Sequence, residues 1–107
     1  MKKTRATFRS LLVAFVALFL FQCQTVPKPL EEYALARAAL DAAKLVEAAR
    51  YSPGSWNQAE ESYRRARLFF REQDWENAKI YFTRARLAAE KAESAARVTR
   101  MKSGEIL

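Results

Sequence analysis

The chain has 107 residues, 19 basic and 12 acidic, for a net charge of +7, and half of them are apolar. It holds no His, one Cys and two Gly. That is room for one small domain, and it excludes a His/Cys metal centre, a Ser-His-Asp or Cys-His nucleophile, an internal disulfide and a Gly-rich phosphate loop. A basic balance makes nucleic acid the first partner to weigh, and the position of the charge decides that question.

Lys2, Lys3, Arg5 and Arg9 open the chain with no acid among them, and Leu11 to Phe21 follow without a polar side chain. Cys23 stands two residues further on. A basic start, a short apolar run and a processing site make the layout of a secretory signal peptide. As a helix the run spans roughly 16 Å against a hydrocarbon core of about 30 Å, too short for a stable span. Residues 1–22 are therefore expected to be an address. Without them the chain loses four basic residues and no acid, which leaves +3.

Leu20-Phe21-Gln22-Cys23 resembles the lipobox of bacterial lipoprotein precursors, in which a Leu precedes the Cys by three residues. Phe21 and Gln22 stand where that family has small residues. The resemblance implies cleavage between Gln22 and Cys23, a diacylglycerol on Cys23 and often an acyl chain on the new terminus. Gln24, in place of the Asp that retains such proteins in the inner membrane, implies the periplasmic face of the outer membrane. The alternatives are an ordinary signal peptide followed by a free thiol, or an uncleaved marginal anchor. Two or three acyl chains hold better than such an anchor, at ~0.8 kcal/mol per buried methylene. An exported domain otherwise without Cys also avoids stray disulfides.

Residues 23–29, with Pro27 and Pro29, read as a stiff lipidated tether, because two prolines so close cannot sit inside a helix. An Ala-rich three-helix domain is expected over 30–102, with helices at about 30–50, 55–72 and 75–102 and a frayed tail at 103–107. In the first helix Leu35, Ala39, Ala42, Val46 and Ala49 recur at steps of 4 and 3, one helical face. Arg37, Asp41, Lys44, Glu47 and Arg50 form its solvated stripe.

Tyr51-Ser52-Pro53-Gly54 reads as a turn. Ser55 and Gln58 then make a capping-box pattern for the second helix, whose inner face is Trp56, Ala59, Tyr63, Ala66 and Phe70. Asp74 is the expected N-cap of the third helix. That helix carries Ala78, Phe82, Ala85, Ala89, Ala92 and Ala96 on one face. The bulky residues gather at the links and the seams turn to Ala away from them, so each residue buries little area. The short link makes the neighbouring helices antiparallel, and the expected fold is an all-α, three-helix antiparallel bundle.

Ala66, Phe69, Ala78, Phe82 and Ala85 resemble the packing positions of one tetratricopeptide repeat: small residues that let two helices close, and aromatics wedged between them. Ser62, Arg65 and Glu90 depart from that pattern. The layout of Cys, tether, Ala-rich helix, Tyr51-Ser52-Pro53 turn and helical pair also resembles a family of small bacterial lipoproteins with an Ala-rich domain of unknown function. That family brings no catalytic residues.

Arg64, Arg67 and Arg71 share a face of the second helix. With Trp56 and Trp75 they are the candidate partner contacts. Their anionic partner would be peptidoglycan, lipopolysaccharide, lipid head groups or an acidic protein face; alternatively they are a solvated face paired with neighbouring acids. No aromatic interleaves them for base stacking, and export removes nucleic acid as a partner. No acid/base pair, metal site or cofactor is expected beyond the lipid on Cys23, and the chain is not expected to be an enzyme. The leading expectation is a membrane-anchored envelope lipoprotein acting as a small helical scaffold for an envelope protein. A homo-oligomer of Ala-rich helices that coats or spaces the envelope is the second, and an anionic-polymer binder using the Arg face is the third.

Overall fold

The computed structural model describes residues 2–20 and 26–104. These are all-helical, with no strand: α1 (Lys2–Leu20), α2 (Leu30–Leu45), α3 (Ala48–Tyr51), α4 (Pro53–Arg71) and α5 (Trp75–Lys102). α1 packs against no other helix. No helix among the described residues is long and apolar enough to cross a membrane.

α5 is the spine. Ala78, Phe82, Ala85, Ala89, Ala92 and Ala96 are all fully buried on one side of it. The methyl of Ala lets neighbouring backbones come close, and its high helix propensity holds a 28-residue helix together. The molecule measures 89 × 23 × 18 Å, so its short axes are about two helix diameters of 10–12 Å. Among the described residues, Phe82 is the large side chain that is fully buried.

Contacts set the directions. Trp56 and Ala59, early in α4, share a cluster with Ala89, Ala92 and Ala96, while Ala66 sits with Ala78, Phe82 and Ala85. α4 therefore runs antiparallel to α5. Glu32 meets Lys79 at 3.7 Å and Glu47 meets Arg100 at 3.8 Å, so α2 runs the same way as α5. α2 and α4 both pack along α5 and scarcely touch each other.

The structure corrects three expectations. The buried face of α2 is Ala36, Ala39, Leu40 and Ala43; of the expected face Ala39 and Val46 are buried, whereas Leu35 is 45% exposed and Ala49 lies at the surface. Ala surrounds this helix, so its periodicity fits two phases equally well, and close approach to α5 selects the one that points Ala36 and Ala43 inward.

The expected helix over 30–50 is broken. Glu47 has φ 55° and separates α2 from the single turn of α3. A left-handed non-Gly residue costs roughly 1–2 kcal/mol. The turn buries Val46 and Ala48, brings Glu47 to Arg100, and places Tyr51 against the guanidiniums of Arg50 and Arg100, 5.1 and 5.5 Å from its ring centre. These contacts offset the strain, and they hold the C-terminal end of α5.

α4 begins at Pro53, two residues before the expected Ser55, with Ser52 at the cap position making no side-chain cap bond. Proline suits the first helical position because its missing N–H has no partner there. The Ser52 carbonyl accepts from the Trp56 N–H at 3.0 Å and starts the helix.

At the α4–α5 link the Asp74 N–H donates to the Phe69 carbonyl (2.9 Å) and the Gln73 N–H to the Phe70 carbonyl (3.2 Å), the Schellman arrangement around a left-handed Gln73 at φ 61°. Asp74 then caps α5, accepting from the Asn77 N–H at 3.3 Å and the Asn77 amide at 2.8 Å.

Leu40→Ala should cost about 2–5 kcal/mol, and Leu35→Ala, at a half-exposed site, less than about 1. Denaturant melts of the two variants distinguish the two phases of α2. Gln73→Gly should raise stability by up to about 1 kcal/mol, because glycine adopts the left-handed cap without steric cost, seen as a higher Tm.

Candidate functional site

Cys23 and Gln22, the expected lipidation and cleavage residues, lie outside the described residues, as does Gln24. Of the candidate partner contacts, Arg64, Arg67 and Arg71 are exposed on α4. Trp56 is 7% exposed and packs within the core, so it stabilises the helices rather than meeting a partner. Ala66, Phe69, Ala78, Phe82 and Ala85 come together in one cluster, Phe69 lying 5.3 Å from Tyr81.

Trp75 is half-buried and meets Phe70 edge-on at 5.2 Å. Phe70, Phe82, Tyr33 and Tyr63 continue this set of rings with centroids 5.3–6.4 Å apart, the offset and edge-to-face spacing that aromatic quadrupoles favour. Lys28 places its ammonium 5.1 Å from the centre of Phe70 and 5.7 Å from Trp75, cation–π distances. Pro29 beside it is buried. The last residues of the expected tether thus belong to the domain, which begins at Lys28.

Two grooves flank α4. The one against α5, about 340 Å³, contains Arg65, Arg84 and Tyr81. Its cations have partners: Arg65 pairs with Glu61 at 2.9 Å, and Arg84 lies 4.9 Å above Tyr81. The hydrogen bond to Tyr81 and the charge of Glu61 raise the pKa of Arg65 further.

The groove between α2 and α4 consists of two adjoining cavities of about 330 and 210 Å³ that share Leu40, Lys44, Tyr63 and Arg67. Arg37 donates to the Tyr33 hydroxyl at 3.4 Å, and Arg67 stands 5.9 Å from the Tyr63 ring centre. The two tyrosines are stacked at 6.4 Å. Hydrogen bonds from Tyr63 and then Arg37 hold the Tyr33 phenol below its ordinary pKa. Burial, and then the same bond to Tyr33, push Tyr63 up.

Tyr33, Tyr63, Arg37 and Lys44 were not among the candidates that the sequence singled out as a site. Their signal was present: Tyr33, Arg37 and Lys44 stand at steps of four and seven on α2. No spacing within α2 shows that this stripe faces Arg67 on another helix. Among the described residues no group of three or more His, Cys, Asp or Glu is placed to hold a metal ion.

An all-helical domain with an Ala-lined spine is thus the class that the geometry defines. The family model described as Domain of unknown function (DUF4398) matches residues 31–104, and the chain belongs to that family. No curated protein and no solved structure matches the chain.

The two tyrosines should titrate separately. Tyr33 ionises first, and its contribution to stability is present at high pH and lost as pH falls through its lowered pKa. Tyr63 has the opposite sign: its contribution is present at low pH and lost as pH rises through its raised pKa. Site-resolved NMR of the tyrosine ring carbons during alkaline titration should show Tyr33 ionising before Tyr63, and Tyr63→Phe should move the Tyr33 step upward.

Proposed function

We propose that the chain is the precursor of a lipid-anchored protein of the bacterial cell envelope, processed between Gln22 and Cys23 and held by acyl chains on Cys23. Its working part is a three-helix antiparallel bundle whose α4–α5 hairpin is tetratricopeptide-like, and it serves as a small periplasmic scaffold for another envelope component. It has no catalytic role in this reading.

The observation that carries the reading is the separateness of α1. The basic, apolar segment packs on none of the helices that form the bundle, so its removal would take no contact from the core. The pinning of Lys28 adds to this. Five residue steps separate Cys23 from Lys28, a reach of at most roughly 18 Å, which would turn the end bearing Phe70 and Trp75 toward the lipid and present the Tyr51 and Arg100 end to a partner. Aromatic and basic side chains suit a membrane interface.

The buried Ala face of α5 favours a scaffold over a homo-oligomer of Ala-rich helices. Its methyl groups are covered by α2 and α4 of the same chain, so the Ala face itself is already occupied.

Metabolic palmitate labelling in a bacterial host tests the anchor. The wild-type chain should be labelled and sediment with envelope membranes, and Cys23→Ala should be unlabelled and run as the longer precursor. An unlabelled wild-type protein, soluble in the periplasm, would reject the reading.

A further inference from the structure

Charge on the surface of the bundle is unevenly matched. Among the described residues, Arg65, Lys79, Arg86, Arg97 and Arg100 each stand in an ion pair with a glutamate. Three of these pairs are one helical turn apart on their own helix, the solvated pattern. The four cations of the α2–α4 groove, Arg37, Lys44, Arg64 and Arg67, stand in none; other cations such as Arg71 and Lys91 also stand in none, but only these four gather in one groove. Two acids, Asp41 and Glu60, share the groove with them, so it keeps a net charge of +2. Like charges gathered in a concave surface repel one another and favour an anion there.

The geometry narrows the kind of anion. The oxygen of Tyr33 accepts from Arg37 at 3.4 Å, and the Tyr33 ring is stacked on Tyr63 at 6.4 Å. A phenol that accepts still keeps its O–H to donate. A ligand oxygen beside Tyr33 would receive that O–H together with guanidinium N–H groups from Arg37 on one wall and Arg67 on the other. Planar guanidinium forks suit tetrahedral oxyanions. A phosphate monoester carries roughly −1.5 to −2 at neutral pH, which matches the groove, whereas a single carboxylate would neutralise half of it.

We propose that the α2–α4 groove is a binding site for a phosphate group, held between Arg37 and Arg67 with Tyr33 as hydroxyl donor and Lys44 alongside. The site is distinct from the expected Arg face, since it unites one arginine of that face with a stripe on a different helix. It does not depend on whether Cys23 is lipidated.

The test is calorimetric titration of inorganic phosphate into the full chain in non-ionic detergent at low ionic strength and neutral pH. Saturable binding is expected. R37Q/R67Q should weaken it by about tenfold or more, as for the loss of charge-assisted hydrogen bonds, and Tyr33→Phe should weaken it to a lesser degree. R86Q/R97Q removes equal charge from ion-paired positions and should change affinity by less than about twofold. Circular dichroism verifies that each variant keeps its helix content.

Phosphatidic acid and glycerol 3-phosphate in the same detergent separate the sources. Tighter binding of the first, abolished in R37Q/R67Q, assigns a lipid head group, and tighter binding of the second assigns a soluble ester. No saturable phosphate binding, equal weakening in both double variants, or acetate binding as tightly as phosphate would each overturn the proposal.

Discussion

The close approach of two helices to the alanine face of α5 is the constraint on which the rest of the molecule depends. Five fully buried alanines and one phenylalanine line that face. A methyl group buries little area, so each contact contributes modestly at about 25 cal/mol per Å². Stability has to come from the number and closeness of contacts, which a 28-residue helix supplies along its length. The largest group of rings, with Phe70, Phe82 and Tyr33, meets beside the α4–α5 link, while Trp56 packs among the alanines of the other half.

The same constraint produces the groove. α2 and α4 both pack along α5, and apart from Tyr33 against Tyr63 and Phe70 they approach each other little. Their facing sides are left as the walls of a trough whose floor reaches Leu40 and Tyr63. Outward-facing arginines on α5 find glutamates one turn away at Arg86–Glu90 and Arg97–Glu93. Those on the trough walls lack such partners and lean on tyrosines instead. Positive charge is thereby concentrated on one side of a chain whose net charge beyond its basic first residues is small.

Both ends of the helical domain carry a cation over an aromatic ring. At one end Lys28 lies over Phe70 and Trp75. At the other Arg100 reaches Tyr51 and Glu47. Cation–π contacts contribute roughly 0.5–2 kcal/mol each, more when desolvated. In a domain this thin that is enough to decide whether a terminal segment joins the fold, and it is why the chain entering the bundle is bound from Lys28 onward.

The helical class, the inner faces of α4 and α5 and the Asp74 cap were legible in the sequence. In those stretches apolar residues alternate with charged ones at helical spacing, so only one phase buries the apolar side. The phase of α2 was not legible, because alanine lies nearly all round it. The breaks at Glu47 and Gln73 were not legible either. Neither is a glycine, and their left-handed conformations are imposed by what lies around them: Arg100 and Tyr51 at the first, the Schellman bonds from Phe69 and Phe70 at the second. By itself the sequence determined a basic, apolar N-terminal segment, a lone cysteine beyond it and a set of alanine-seamed helices, since each depends on neighbours within a few turns of the same segment. Only the tertiary structure decided that Tyr33 and Arg37 on α2 stand across from Tyr63 and Arg67 on α4, because that meeting is made by a third helix on which both of the others rest.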